Sequence, residues 1–197
     1  MKNKEHVLLC ILGRTGSGKD FLANKLCDKM GLGLICSYTT RPRRDGEGDT
    51  HIFTTKETYE QMQTEGNVAA YTEIAGNYYW TTIDQLYEND VYIIDPLGVQ
   101  SLCKLNLPNL RLVTVYINTP DDIREQRALN NRGDDKFVFR KRDISERQQF
   151  RDMLKNANFD YAVSNINGAK ALSVLRWIAT VEGVWKNNEE TEENNAK

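Results

Sequence analysis

Short unbroken apolar runs alternate with helical periodicities along this chain. HVLLCILG (6–13) is one such run, as expected of a strand buried on both faces of a parallel sheet. From Lys19 onward Leu22, Leu26 and Met30 recur at helical spacing, and Gly31 stands where a helix-ending glycine belongs. LGLICSYTT (32–40) reads as a second strand, and TKETYEQMQTEG (55–66) as a short helix closed by Gly66. NVAAYTEI and NYYWTT predict a hairpin that turns at Ala75-Gly76. VYIID (91–95) and RLVTVYIN (111–118) are further buried strands. TPDD (119–122) supplies a capping threonine, a proline at the first helical position and two acids, so it opens a helix that runs to about Asn131. NRGDDKFVFRKRD interrupts it, and a charged helix follows to about Ala157. YAVS (161–164) is a last strand and AKALSVLRWIATVEGVW a closing helix.

Strands alternating with helices predict an α/β fold around a central, mainly parallel sheet. The pattern divides one domain, residues 1–186, into a core (5–36, 83–131 and 143–186), a small β-rich insertion (37–82) and a short basic excursion (132–142). Residues 187–197, acidic and without apolar periodicity, are expected to form a disordered tail.

Composition narrows the function. With 197 residues and 40% hydrophobic content the chain has enough for one sizeable core. A net charge of −2 argues against a nucleic-acid binder, so any phosphate chemistry must come from local clusters of arginine and lysine. Cys10, Cys27, Cys36 and Cys103 show no C-x-x-C spacing, and with only His6 and His51 beside them a zinc site is not expected. No stretch approaches membrane-spanning length, and the apolar run before Gly13 is too short for a signal peptide. The expectation is a cytoplasmic protein with free thiols.

The strongest local chemistry is GRTGSGKD (13–20), which fits G-x-x-x-x-G-K-[ST] in all but its last residue. Gly13, Gly16 and Gly18 let backbone N–H groups converge on an anion, the helix that follows adds its positive end, and Lys19 reaches the outer phosphates. A strand before this Walker A loop and a helix after it complete the context that the motif requires. Asp20 replaces the usual hydroxyl. A carboxylate is also a hard oxygen ligand, so Asp20 is the candidate magnesium ligand, direct or through water.

S37-Y-T-T-R-P-R-R-D-G-E-G-D-T-H-I-F53 resembles the nucleotide-binding segment of guanylate kinases, and GNYY (76–79) resembles their second substrate strand. With the glycine loop, the VYIID strand and the arginines after Asn131, the resemblance covers most of residues 7–182. It implies a P-loop kinase fold in which the insertion binds a nucleoside monophosphate and the basic excursion is a lid. The implied reaction moves the γ-phosphoryl group of ATP, with Mg2+, to GMP or dGMP. The acceptor's phosphate is already ionised near neutral pH, so the task is to bring two anions into line, by positioning and positive charge.

The same resemblance assigns residues. Gly13, Arg14, Thr15, Gly16, Ser17, Gly18, Lys19 and Asp20 hold the ATP phosphates, with Arg127 and Asn165 near the adenine. Lys19, Arg132 and Arg142 serve catalysis, with Arg140 the alternative to Arg142. Ser37 faces the guanine edge, Arg41, Arg44, His51 and Tyr79 the acceptor phosphate, Thr81 the base and Asp95 the reacting centre. His51 stands where the family has a tyrosine, Trp80 where it has glycine, and Ala70 where a glutamate reads guanine. Strand alternation puts Ala70, Thr72 and Ile74 on one face and Glu73 on the other, so Thr72 is the candidate to compensate. Two alternatives remain: a kinase of this fold for another (deoxy)nucleoside monophosphate, and a non-catalytic binding module.

Overall fold

The apolar runs pair with one another before they pair with anything else. In the computed structural model, which describes residues 5–43, 51–74, 76–131 and 133–184, the first half of the chain forms β1 (His6–Leu12), α1 (Lys19–Met30), β2 (Tyr38–Thr39), β3 (Ile52–Phe53), α2 (Lys56–Thr64), β4 (Val68–Ile74) and β5 (Asn77–Thr82). There follow α3 (Ile83–Glu88), β6 (Val91–Ile93), α4 (Pro96–Leu105), β7 (Leu110–Asn118), α5 (Asp121–Gln126), a π turn (Arg127–Asn131), α6 (Lys136–Lys155), β8 (Tyr161–Ser164) and α7 (Gly168–Val181). The strands β6, β1, β7 and β8 lie in that order in one sheet, and every pairing in it is parallel.

Alternation along β1 explains why helices cover both faces. Val7, Leu9 and Ile11 pack with Leu22 and Leu26 of α1 and Leu175 and Ile178 of α7. Leu8, Cys10 and Leu12 pack on the other side with Leu102 of α4 and Phe150 and Met153 of α6. Leu8, Leu9, Cys10 and Ile11 are all 0% exposed, as a doubly covered parallel strand requires. The α/β fold with a central parallel sheet is thus the observed one. No helix among the described residues is long and apolar enough to cross a membrane.

A second sheet, ordered β3-β2-β5-β4, is built from the segment after α1. Its β4–β5 hairpin is antiparallel, and Trp80 pairs with Tyr38 on one side and Tyr71 on the other. Tyr59 of α2 makes edge contacts with Tyr78 and Trp80 at ring separations of 5.1 and 5.2 Å, which gives this sheet an aromatic core of its own.

Three expectations change. The strand read over 32–40 shrinks to β2, because residues before it run along the β6 edge, joined by a single Leu34–Val91 bridge and the Ile35 N–H donated to Val91. Helices α3 and α4 went unread although both carry start signals. Thr82 and Gln85 form a capping box, and Asp95 caps α4 ahead of Pro96. Finally, the basic excursion at 132–142 is helical from Lys136 on and continuous with the charged helix after it. Asp135 caps this start by accepting from the N–H groups of Phe137 and Val138 at 2.8 and 3.0 Å.

Candidate active site

Strand register brings the two halves of the site together. Ile11 of β1 pairs with Ile93 of β6, and the Ile94 N–H donates to the Ile11 carbonyl at 3.2 Å. Two residues further along, at the carboxyl edge of the sheet, β1 gives way to Gly13 and β6 to Asp95, both beyond the ends of their strands. Open parallel sheets bind ligands at that edge.

The glycine loop owes its shape to the way its carbonyls are tied back. The Ser17 carbonyl accepts from Thr119 Oγ1 at 3.0 Å, from Asn165 Nδ2 at 2.7 Å and from Arg127 Nη1 at 3.4 Å. The Thr15 carbonyl accepts from Arg124 Nη1 at 2.8 Å. The Ser17 N–H closes a turn on the Arg14 carbonyl at 3.0 Å, while the first-turn amides of α1 have no acceptor within the helix and suit an anion. Gly16 and Gly18 adopt φ of +77° and +82°, a region that disfavours side chains. A Cβ at Gly16 would lie 2.4 Å from the Arg124 carbonyl oxygen, and one at Gly18 2.8 Å from Asn165 Nδ2. Both glycines are therefore fixed by packing as well as by backbone angle.

Lys19 Nζ donates to Asp20 Oδ2 at 3.1 Å, and the Asp20 side chain is 63% exposed. Arg127 also donates to the Asn165 carbonyl at 2.8 Å. Asn165 and Arg127, expected near the adenine, thus hold the Ser17 peptide. From α6, Glu146 Oε2 accepts from the Thr15 N–H at 2.6 Å, while Arg142, half-buried, precedes it by four residues on the same helical face. Arg140 lies 3.7 Å from Glu125 on the outer side. Burial opposes the charge of Arg124, yet hydrogen bonds to Asp121 and Asp143 hold its pKa above the ordinary value. Thr119, expected to cap the helix, instead donates its hydroxyl to the Ser17 carbonyl, and α5 starts after Pro120 without a side-chain cap. Arg124 did not stand out in the sequence, because an arginine near a helix start is ordinary.

Across the edge, Ser37, His51, Thr72, Tyr79 and Asp95 line one cavity together with Ala70. At about 130 Å³, well below the roughly 300 Å³ where pockets begin to enclose whole ligands, it accommodates one end of a molecule. Ala70, Thr72 and Ile74 share the lining, as alternation along β4 predicts, and Glu73 points elsewhere, toward the Tyr71 hydroxyl. Asp95 Oδ1 accepts from the Gly98 N–H at 2.7 Å. Ser37 Oγ donates to the Tyr92 hydroxyl at 3.4 Å. Tyr92 was not anticipated; burial pushes its phenol far above the ordinary tyrosine value, so it stays neutral.

Two expected members sit outside this lining. Thr81 is fully buried and donates its hydroxyl to Gln85 at 2.7 Å. Arg41 bonds the Pro42 carbonyl at 2.7 Å and stacks 5.3 Å from the Phe53 ring centroid. Arg44 and Arg132 lie outside the described residues, as does the 187–197 tail. Among the described residues no three His, Cys, Asp or Glu side chains are grouped to hold a metal ion.

The family model described as Guanylate kinase matches residues 5–179. A guanylate kinase from Acinetobacter baylyi is 31% identical over 186 residues, covering 88% of this chain and 86% of its own. One from Syntrophotalea carbinolica is 30% identical over 187 residues, covering 90% and 86%. The crystal structure of a guanylate kinase from Anaplasma phagocytophilum has the same fold, with a TM-score of 0.64 at 20% identity over 92% of this chain and 88% of that one.

Proposed function

The chain belongs to the guanylate kinase family, and on that premise we propose that it transfers the γ-phosphoryl group of ATP to GMP or dGMP, giving ADP and the corresponding diphosphate. The observation that carries this reading is that β1 and β6, paired in parallel up to Ile11 and Ile93, lead into the glycine loop on one side and into Asp95 and its cavity on the other.

The ATP phosphates lie along Gly13–Asp20, with Lys19 on the outer ones. Arg142 of α6 and Arg132, by the family resemblance, offset the charge that builds up between the two phosphoryl groups. No base is required of the protein, because the acceptor oxygen is already ionised. Residues 37–82 bind the acceptor and residues 132–142 close over the reacting groups, excluding the water that would otherwise take the phosphoryl group. Arg41, Arg44, His51 and Tyr79 serve the acceptor phosphate. Ala70 cannot accept a hydrogen bond, so Ser37 and Thr72 take up donors of the guanine edge, while the Asp95 carboxylate stands at the reacting centre. Thr81 supports them from behind through β5.

Magnesium fits the donor side. Asp20 offers an exposed carboxylate beside the loop cation, and magnesium accepts one or two such ligands alongside phosphate oxygens and water. When bound, the ion neutralises phosphate charge; Asp20 would hold it together with the nucleotide. Four free thiols, two of them buried, suit a cytoplasmic setting.

ADP release measured with GMP, dGMP, AMP, CMP, UMP and dTMP as acceptors tests the proposal. Turnover with GMP or dGMP well above the others is expected. Preference for a different base, or no turnover with any of the six, would overturn it.

A further inference from the structure

Four alternating charges join the phosphate loop to two helices. Arg14 Nη2 and Arg124 Nη1 both donate to Asp143 Oδ1, at 2.6 and 2.7 Å. Arg124 Nη2 and Arg14 Nη1 both donate to Asp121 Oδ1, at 2.8 and 3.3 Å. The ring therefore closes, with Arg14 from the loop, Asp121 and Arg124 from α5, and Asp143 from α6. Arg124 is 2% exposed and Asp143 7%. Charges removed from water to that degree persist only when each has good partners, and here each arginine has two carboxylates.

The ring also reaches the loop backbone. The Arg124 nitrogen that binds Asp143 donates as well to the Thr15 carbonyl at 2.8 Å. One residue later, Gly16 packs so tightly on the Arg124 main chain that a methyl group would not fit. A single buried residue thus fixes the Thr15–Gly16 peptide from both its side chain and its backbone. The direction of that peptide decides where the next N–H groups of the cradle point.

We propose that Arg124 and Asp143 are positioning residues of the donor site. Without touching the nucleotide, they set the orientation of the Thr15–Gly16 peptide and hold the Arg14 guanidinium at the rim of the phosphate cradle. The inference rests on reading Gly13–Asp20 as the ATP site. Electrostatics makes it separable from a bystander role. Asp143 is an anion on the side where ATP brings further negative charge, so as a bystander its neutralisation would tighten ATP binding. As a positioning group, its loss loosens the loop and weakens ATP binding.

The test uses full-length protein with Asp143→Asn and Arg124→Lys. ATP is titrated calorimetrically without acceptor, and KM for ATP, KM for GMP, kcat and Tm are measured. The expected result is a rise of about tenfold in both Kd and KM for ATP, the scale of one hydrogen bond to a charged group, with KM for GMP unchanged. Lysine keeps the charge at 124 but cannot reach Thr15, Asp121 and Asp143 at once, so Arg124→Lys should weaken ATP as Asp143→Asn does. Unchanged or tighter ATP binding in Asp143→Asn overturns the proposal, whatever happens to Tm. Should Asp143→Asn fail to fold, wild-type ATP affinity in Arg124→Lys overturns it equally. Absence of phosphoryl transfer by the wild-type protein would sink the functional reading alone, since the ATP titration still decides this one.

Discussion

The Lys19 ammonium donates to the Asp20 carboxylate across 3.1 Å, so the loop cation and the candidate metal ligand are each other's partner. Asp20→Ser separates the two roles. The magnesium concentration for half-maximal rate should rise about tenfold, the scale of one charged contact, while ATP binding in the presence of a chelator tightens because Lys19 is released. Unchanged magnesium dependence would remove Asp20 from the metal site.

Lys19→Met should lower kcat by roughly 10²- to 10⁵-fold, the range seen when a cation facing transferring phosphate is lost. Its side chain is 22% exposed and packs into no core, so Tm should stay near the wild-type value. Thermal melts beside steady-state kinetics check both halves.

Asp95 does two jobs that substitution can divide. Asp95→Asn keeps an oxygen for the Gly98 N–H and so keeps the α4 cap, but it removes the carboxylate from the cavity. KM for GMP should rise about tenfold with little change in Tm. Asp95→Ala should show the same kinetic defect and lose about 1 kcal/mol of stability with the cap. Equal KM values in wild type and Asp95→Asn would remove Asp95 from the acceptor site.

Glu182 gives a pH signature. A hydrogen bond from Tyr161, reinforced by Arg111, holds its carboxyl below the ordinary value of 4.5. A lowered folded pKa contributes stability that is complete above the unfolded value and disappears as pH falls through the folded one. Melting temperatures of wild type and Glu182→Gln should therefore differ near neutrality and converge as the pH falls below 4.5 and through the lowered folded value. A gap that persists in acid would point to packing instead of charge.

Thiol reactivity should follow burial. Cys103 is exposed and Cys36 half-buried, whereas burial raises Cys10 far above the ordinary thiol value and pushes Cys27 up to about 12. Iodoacetamide at neutral pH should modify Cys103 first, Cys36 more slowly, and Cys10 and Cys27 only after denaturation. Peptide mass spectrometry reads the order directly.

What could be read from the chain was whatever local geometry dictates. Gly16 and Gly18 were legible because a positive φ and close neighbours, the Arg124 backbone for one and the Asn165 side chain for the other, leave little choice but glycine. Ala70, Thr72 and Ile74 were legible because strands alternate. Arg124 was not, since an arginine in the first turns of a helix looks like any solvated one; its burial depends on Thr15 and Asp143, distant in sequence and close only in the fold. Arg41 and Thr81 were placed by resemblance, and in the structure nearby groups hold them: Phe53 and Pro42 for the one, Gln85 for the other. The capping signals of α3 and α4 were present at Thr82 and Asp95 but lay beside a feature read for chemistry.

The π turn at Arg127–Asn131 carries a residue more than an ordinary helical turn would need. Excising one amino acid there would shorten the stretch of chain that joins α5, which carries Arg124, to α6, which carries Asp143 and Glu146. Asp143 and Glu146 would then be carried away from Arg14 and Thr15 without either being mutated. The distance along the chain between Arg127 and Asp143 is for that reason as much a specification of the enzyme as the identity of either residue.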